Sequence, residues 1–329
     1  MTTPQMTHWE RMRAALRGEA VDRVPISLWR HWPPYDETAE GLAAVTLLWQ
    51  QTYDFDLVKL TPTGTYGIED WGGRTVYHSA DHGMRTIVRY GVTDTNDWPR
   101  LERLDVHKGF LGEQLAAVRL VADGLQGSVP LLQTIFSPLT TARKLAGDRI
   151  FTDLRLHPEE FKAGLQIIAE THARFAVESV RAGADGIFFA TQGDSYRLLS
   201  EAEYREFGEP YDRIILDAVR PEAEIIMIHA HGLDIMFDLV AAYPADAINW
   251  HDRITPPSLR EARQRFAGML VGGIDEWHTL LHGPAEAIRA EIQDAIAQTD
   301  GRRFMVGPGC VVPINTSPLH LRAARQSVE

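Results

Sequence analysis

The chain has 329 residues, 44% of them hydrophobic and 24% charged, with a formal net charge of −12 and a single cysteine. So negative a charge leaves no basic face for phosphate neutralisation and argues against a nucleic-acid partner. One thiol excludes an intrachain disulfide and points to a reducing, cytoplasmic setting, and no apolar stretch approaches the ~20 residues of a membrane span.

The first element expected is a helix. Thr7-His8-Trp9-Glu10 reads as a capping box, and Trp9, Met12, Ala15 and Leu16 follow at helical spacing. Residues 1–20 are therefore expected as an N-terminal helical extension, with residues 21–329 as one domain. Short apolar or β-branched runs at 24–29, 56–60, 129–135, 185–190, 224–229, 247–250, 269–274 and 304–306 read as eight buried strands. Helical patterns lie between most of them. Ser200 with Glu203 and Ser258 with Glu261 form further capping boxes, and Pro284 suits the first turn of a late helix. Alternating strands and helices predict parallel βαβ units, and eight fit a single (β/α)8 TIM barrel. A doubly wound sheet is the rival, but no Gly-x-Gly-x-x-Gly follows the first strand. Residues 73–94 break the rhythm: Thr75-Val76-Tyr77 and Arg85-Thr86-Ile87-Val88-Arg89-Tyr90, separated by Asp81-His82-Gly83, read as a β-hairpin inserted after strand two.

In such a barrel the chemistry sits at the carboxyl ends of the strands. This chain places Arg30, His31 and Trp32 after the first. Lys59 lies in the second, with Tyr66, Glu69, Asp70 and Trp71 beyond it. Gln133 lies in the third, and Gln192, Asp194 and Tyr196 follow the fourth. His229 and His231 end the fifth, Asn249, Trp250, His251 and Asp252 the sixth, Asp275 and Trp277 the seventh, and Cys310 follows the eighth. Polar groups so close to a core need partners or a task.

His229 and His231 share one side of an extended backbone, and Cys310 sits in a Gly-Pro-Gly turn across the mouth. Two imidazoles and a thiolate make a three-ligand zinc site with one open position. The competing reading makes the histidines strand caps and Cys310 a small buried hydrophobe. His251 with Asp252, and Asp275, are candidate proton acceptors; a loop hydrogen bond and a helix cap are their plain structural alternatives. Arg30 is a candidate clamp for an acidic group. Trp32, Tyr66, Trp71 and Trp250, with Trp29, suggest an aromatic-walled pocket, to which Gln192 and Tyr196 would add polar contacts.

Several segments carry a family resemblance. They are Arg17-Gly18-Glu19-Ala20-Val21-Asp22-Arg23-Val24-Pro25, Ser137-Pro138-Leu139-Thr140, Leu199-Ser200-Glu201-Ala202-Glu203-Tyr204-Arg205-Glu206-Phe207 with Pro210-Tyr211, Gly272-Gly273-Ile274-Asp275, and Gly307-Pro308-Gly309-Cys310-Val311-Val312-Pro313. With these the chain resembles the uroporphyrinogen decarboxylase superfamily, which holds haem-pathway decarboxylases and zinc-dependent methyltransferases of corrinoid-linked methyl transfer. The resemblance implies a (β/α)8 barrel and a homodimer. The decarboxylases carry an arginine-rich Met-Arg-Gln-Ala-Gly-Arg-Tyr stretch after strand one, whereas this chain reads Leu28-Trp29-Arg30-His31-Trp32-Pro33-Pro34-Tyr35 and keeps one arginine. The methyltransferase branch holds zinc with His-x-Cys and a later Pro-Gly-Cys. Here Cys310 and His229 match, and His231 stands where the branch has cysteine.

The expected function is therefore a zinc-dependent methyltransferase acting on a small-molecule thiol or similar acceptor. Its methyl donor would be a corrinoid carried by a partner protein. The alternatives are a metal-free decarboxylase using Arg30 and Asp275, and a catalytically idle ligand-binding barrel.

Overall fold

The computed structural model describes residues 5–329. Nine strands occur among them: β1 (Val58–Leu60), β2 (Arg74–Val76), β3 (Thr86–Arg89), β4 (Leu131–Phe136), β5 (Gly186–Thr191), β6 (Ile225–Ala230), β7 (Ala247–Trp250), β8 (Met269–Ile274) and β9 (Phe304–Pro308). Seven form one sheet in the order β1-β4-β5-β6-β7-β8-β9, every neighbouring pair parallel. Helices join successive strands, which buries both faces of the sheet; hence the near-continuous Ile, Val, Leu and Phe of β4, β5 and β6. The result is an α/β fold with a curled parallel sheet, of the TIM-barrel type. No described helix is long and apolar enough to cross a membrane.

The run at 24–29, expected as a full strand, makes one bridge only, between Ile26 and Val306. Its backbone explains why. Pro25 has no N–H to give, and the Ile26 N–H is taken at 2.9 Å by the Asp56 carboxylate, not by a neighbouring strand. The segment nonetheless touches both edges of the sheet: Ser27 N donates to Val306 O, and Asp56 N donates to Ile26 O.

Between β1 and β4, β2 and β3 pair antiparallel with a register shift at Arg74/Thr75. The tip beyond them folds over the sheet's carboxyl end, where Ile314 N donates to Asp81 O at 2.7 Å.

The helix His8–Arg17 has the expected box, Thr7 Oγ1 accepting from Glu10 N and the Glu10 carboxylate from Thr7 N. Its Met12 and Ala15 join the main core. Boxes also form at Ser200/Glu203 and Ser258/Glu261. Pro284 stands one residue earlier than expected, as the cap of Ala285–Thr299. On the outer face of β1 and β4, Leu42 and Ala43 of Ala39–Tyr53 and Val118 and Val121 of Gly109–Leu125 pack on Val58, Leu60 and Leu131.

Asp56 ties the N-terminal helix to the sheet. Fully buried, it receives Arg11 Nη1 and Arg23 Nη1 at 2.6 Å and His8 Nδ1 at 2.9 Å. Burial pushes its carboxyl up, but hydrogen bonds from His8 and Arg23 outweigh that and hold it at about 2. Asp56→Ala should leave Arg23 without its carboxylate and Arg11 with Asp22 alone, and cost about 3–5 kcal/mol. At this chain length that lowers Tm by roughly 4–7 °C, readable by calorimetry. Because the folded pKa lies below the unfolded one, this stabilisation is complete above about pH 4 and is lost as pH falls towards 2.

Candidate active site

β6 delivers His229 at its end, and His231 follows one residue beyond, its N–H bonded to Thr191 O at 2.9 Å. Cys310 follows β9 in a turn fixed by Gly309 N donating to Glu276 Oε2 at 2.9 Å. The strand order brings the three residues together: one ligand atom from each lies within 4.8 Å of the other two.

His229 is prepared as a ligand. Asn249 Nδ2 donates to Val271 O and Pro308 O, both at 3.0 Å, which fixes the amide with its oxygen towards His229. That oxygen, 2.7 Å from Nδ1, can only accept, so Nδ1 carries the proton and Nε2 holds a lone pair. Nε2 is buried without a hydrogen-bond partner. Burial lowers the His229 pKa and keeps the ring neutral. Burial alone would raise the Cys310 thiol, yet the imidazoles of His231 and His229 reverse this and hold it well below the ordinary thiol range. Zn–N and Zn–S bonds near 2.0 and 2.3 Å put tetrahedral ligand atoms about 3.5 Å apart, so small rotations would close this trio on an ion. Asn249→Leu should cost zinc affinity about 10–100-fold in a chelator competition, because the ring loses its fixed tautomer.

His251 completes the cluster. Its Nε2 lies 3.5 Å from His231 Nδ1, and its Nδ1 is 3.3 Å from Glu276 Oε1. Burial lowers its pKa, but hydrogen bonds to Cys310 and Glu276 prevail and raise it to about 10. Gly309 is required here by close approach: a Cβ would sit 2.7 Å from His251 Nδ1 and 3.0 Å from Glu276 Oε2.

The trio opens onto a cavity of about 150 Å3 walled by Trp29, Phe136 and Phe188. Lys59 and Lys144 project into it. Lys59 Nζ lies 4.5 Å from the Phe188 ring centroid and donates to Thr61 Oγ1 at 3.2 Å. Lys144 Nζ lies 3.3 Å above the Phe136 ring and donates to Gly64 O at 2.5 Å. Burial lowers both to about 7, with Cys310 the one charge acting on them. His31 also lines the cavity; its Nδ1 is bonded to Pro62 O at 2.9 Å, leaving Nε2 as the free ring nitrogen.

The structure brings some expected residues to this site and leaves others away from it. His229, His231, Cys310 and His251 meet, and Gln192 lines the cavity. Asp252 turns away, accepting from Gly273 N at 2.9 Å beside Arg253. Asp275 caps its own turn through Trp277 N and His278 N. Arg30 lies outside the cavity, in an adjoining narrow crevice that shares Trp29, Lys59 and Thr61 with it, stacked 4.3 Å from Trp32 and donating to Ile314 O. Tyr66 donates to Thr134 O, Trp71 to Glu102 O and Trp250 to Pro257 O, all as core packing. Tyr196 is 57% exposed and bonded to Glu201. Of the expected aromatic wall only Trp29 faces the cavity. Lys144 and Glu276 went unnoticed, and Lys59 and Asn249 were noticed without a role. Lys59 had a signal, a lone lysine in an apolar strand; Lys144, on a helix, had none.

A metal-capable trio at the carboxyl edge of a parallel α/β sheet is a candidate enzyme site. The chain belongs to the uroporphyrinogen decarboxylase (URO-D) family, whose profile matches residues 7–329. It is 21% identical to the Methylcobamide:CoM methyltransferase MtbA of Methanosarcina acetivorans, over 97% of this chain and 96% of that one. To the uroporphyrinogen decarboxylase of Anaeromyxobacter dehalogenans it is 27% identical, over 98% of each. A solved methyltransferase from Methanosarcina mazei shares the fold, with a TM-score of 0.86 at 20% identity and 98% coverage of both chains. These relatives are enzymes of both branches, and the chain is an enzyme.

Proposed function

We propose that this enzyme is a zinc-dependent methyltransferase that passes a methyl group from a corrinoid-type donor on a partner protein to a small acidic thiol. The observation that supports it best is the buried, unpartnered Nε2 of His229, fixed by Asn249 within 4.8 Å of the His231 and Cys310 ligand atoms. His229, His231 and Cys310 would hold Zn2+, which when bound acidifies a thiol and presents it as thiolate. Lys59 and Lys144 would hold the acceptor's acidic group, the role first expected of Arg30. Trp29, Phe136 and Phe188 would exclude water. His251, braced by Glu276 and held as an imidazolium, would stand beside the acceptor sulfur to balance its charge. On the same reading, residues 24–29 complete an eight-stranded barrel by joining its two edges.

A cavity of about 150 Å3 beside the trio suits a small thiol acceptor. The decarboxylase reading rests on the relatives of that branch, but Arg30 and Asp275, which it would use, both lie away from the cavity. The deciding assay supplies zinc-loaded enzyme with methylcobalamin and 2-mercaptoethanesulfonate, and separately with uroporphyrinogen. Thioether formation without carbon dioxide release is expected; the reverse result would overturn the assignment.

A further inference from the structure

Beside the inner cavity lies a larger one of about 290 Å3. Ile87 of β3, Leu139 of helix Pro138–Ala146, Phe151 of helix Ile150–Leu156 and Leu198 wall it with apolar surface. Lys144 and Gln192 line both spaces and stand at the boundary between them. The Lys144 head is turned inward, over Phe136 and towards Gly64 O, while its stem faces the outer chamber. Arg143, the other cation on the outer wall, is neutralised by Asp148 at 2.8 Å and lies over the Phe151 ring. The outer chamber therefore offers an apolar stretch of wall opposite polar ones, and the ammonium on its inner side has donors to spare. A void of this kind, adjoining a polar reaction centre across two side chains, is placed to serve as a ligand subsite.

We propose that the two chambers form one elongated site for an acid with an apolar aryl or alkyl tail: its thiol at the His229, His231 and Cys310 cluster, its acidic group at Lys144, and its tail in the outer chamber. This rests on the thiol-acceptor reading above and narrows it, because a two-carbon thiol would leave the outer chamber empty.

Two probes separate the possibilities, mercaptoacetate and 2-mercapto-4-phenylbutanoate, which share thiol and carboxylate and differ in the tail. Binding to the cobalt-loaded full chain is followed by the gain in thiolate-to-metal absorption above the band of Cys310 itself, without turnover. The phenyl compound should bind at least tenfold more tightly. Leu198→Trp and, independently, Ile87→Phe should fill the outer chamber and erase that gain, with mercaptoacetate held within twofold. Equal affinities for the two thiols, or a tail preference untouched by both filling variants, would overturn the elongated site while leaving the thiol-acceptor reading intact. No gain in that absorption with either compound would overturn both. A filling variant that slows methylcobalamin transfer equally for both thiols would assign the chamber to the donor instead, and also defeat the proposal.

Discussion

Cys310→Ala is expected to purify with less than about a tenth of the parent's zinc and to form no thioether above background. Cys310 supplies the one anionic donor of the trio; without it two neutral imidazoles remain, a poor match for a divalent cation. Loss of a direct ligand should exceed the roughly 10–100-fold in affinity carried by residues that merely support ligands. The test is clean because the fold does not lean on this residue. Cys310 is half-buried and free, and truncation to alanine removes one sulfur from the rim of the cavity. Stability of the metal-free protein should change by less than about 1 kcal/mol, so a lost metal cannot be blamed on a lost fold. His231→Cys is the companion. It restores the thiolate of the methyltransferase branch, lowers the site's charge by one unit and should retain zinc. A full zinc complement in Cys310→Ala, measured by elemental analysis on protein purified without added metal, would remove the proposed chemistry.

How much of this could be read from the residues divides by kind. The sheet was legible because a parallel strand buried on both faces is a continuous apolar run: β7 and β8 lie where such runs end, and the other sheet strands within two residues of them. The trio was legible because its atoms sit at the ends of β6 and β9, and strand ends of such a sheet share one rim. The first strand was overread. Its apolar pattern is sound, but the pattern does not say that the Ile26 N–H would go to a carboxylate thirty residues away. The proposed acid-holding role passes from Arg30 to the lysines for a similar reason. Arg30 does follow the first strand, yet Trp32 and Trp49 hold its guanidinium in a crevice. Rotamer and packing, not position along the strand, decide which cation faces the cavity. Asp275 and Glu276 are neighbours in sequence, and only the turn reveals that the first caps it while the second reaches Gly309 and His251.

Replacing Lys59 and Lys144 together by methionine is expected to make the protein more stable and unable to select an acidic acceptor. Burial lowers each ammonium to about 7 from 10.5, so the folded chain holds fewer protons than the unfolded one between those values. Holding the charged forms in the folded state thus opposes folding. The opposition is full below about pH 7 and fades as pH rises towards 10.5. At neutral pH, Lys59→Met alone should gain on the order of 2–4 kcal/mol, or roughly 3–6 °C in Tm. A buried cation kept without a carboxylate partner and at such a cost needs a ligand to explain it. Charge-assisted hydrogen bonds contribute about 1.5–3 kcal/mol each, so each lysine lost should weaken 2-mercaptoethanesulfonate about 10–100-fold while leaving the neutral 2-mercaptoethanol unchanged. For the parent, ethanesulfonate, which has no thiol to titrate, should bind more weakly as pH rises through 7 and the ammoniums discharge. Its midpoint should lie somewhat higher, since the bound anion itself favours protonation. Calorimetric titration of the two thiols against parent and double variant decides the matter. Equal losses for the charged and neutral thiols would mean that the lysines only shape the cavity, and the acceptor would then need no acid at all.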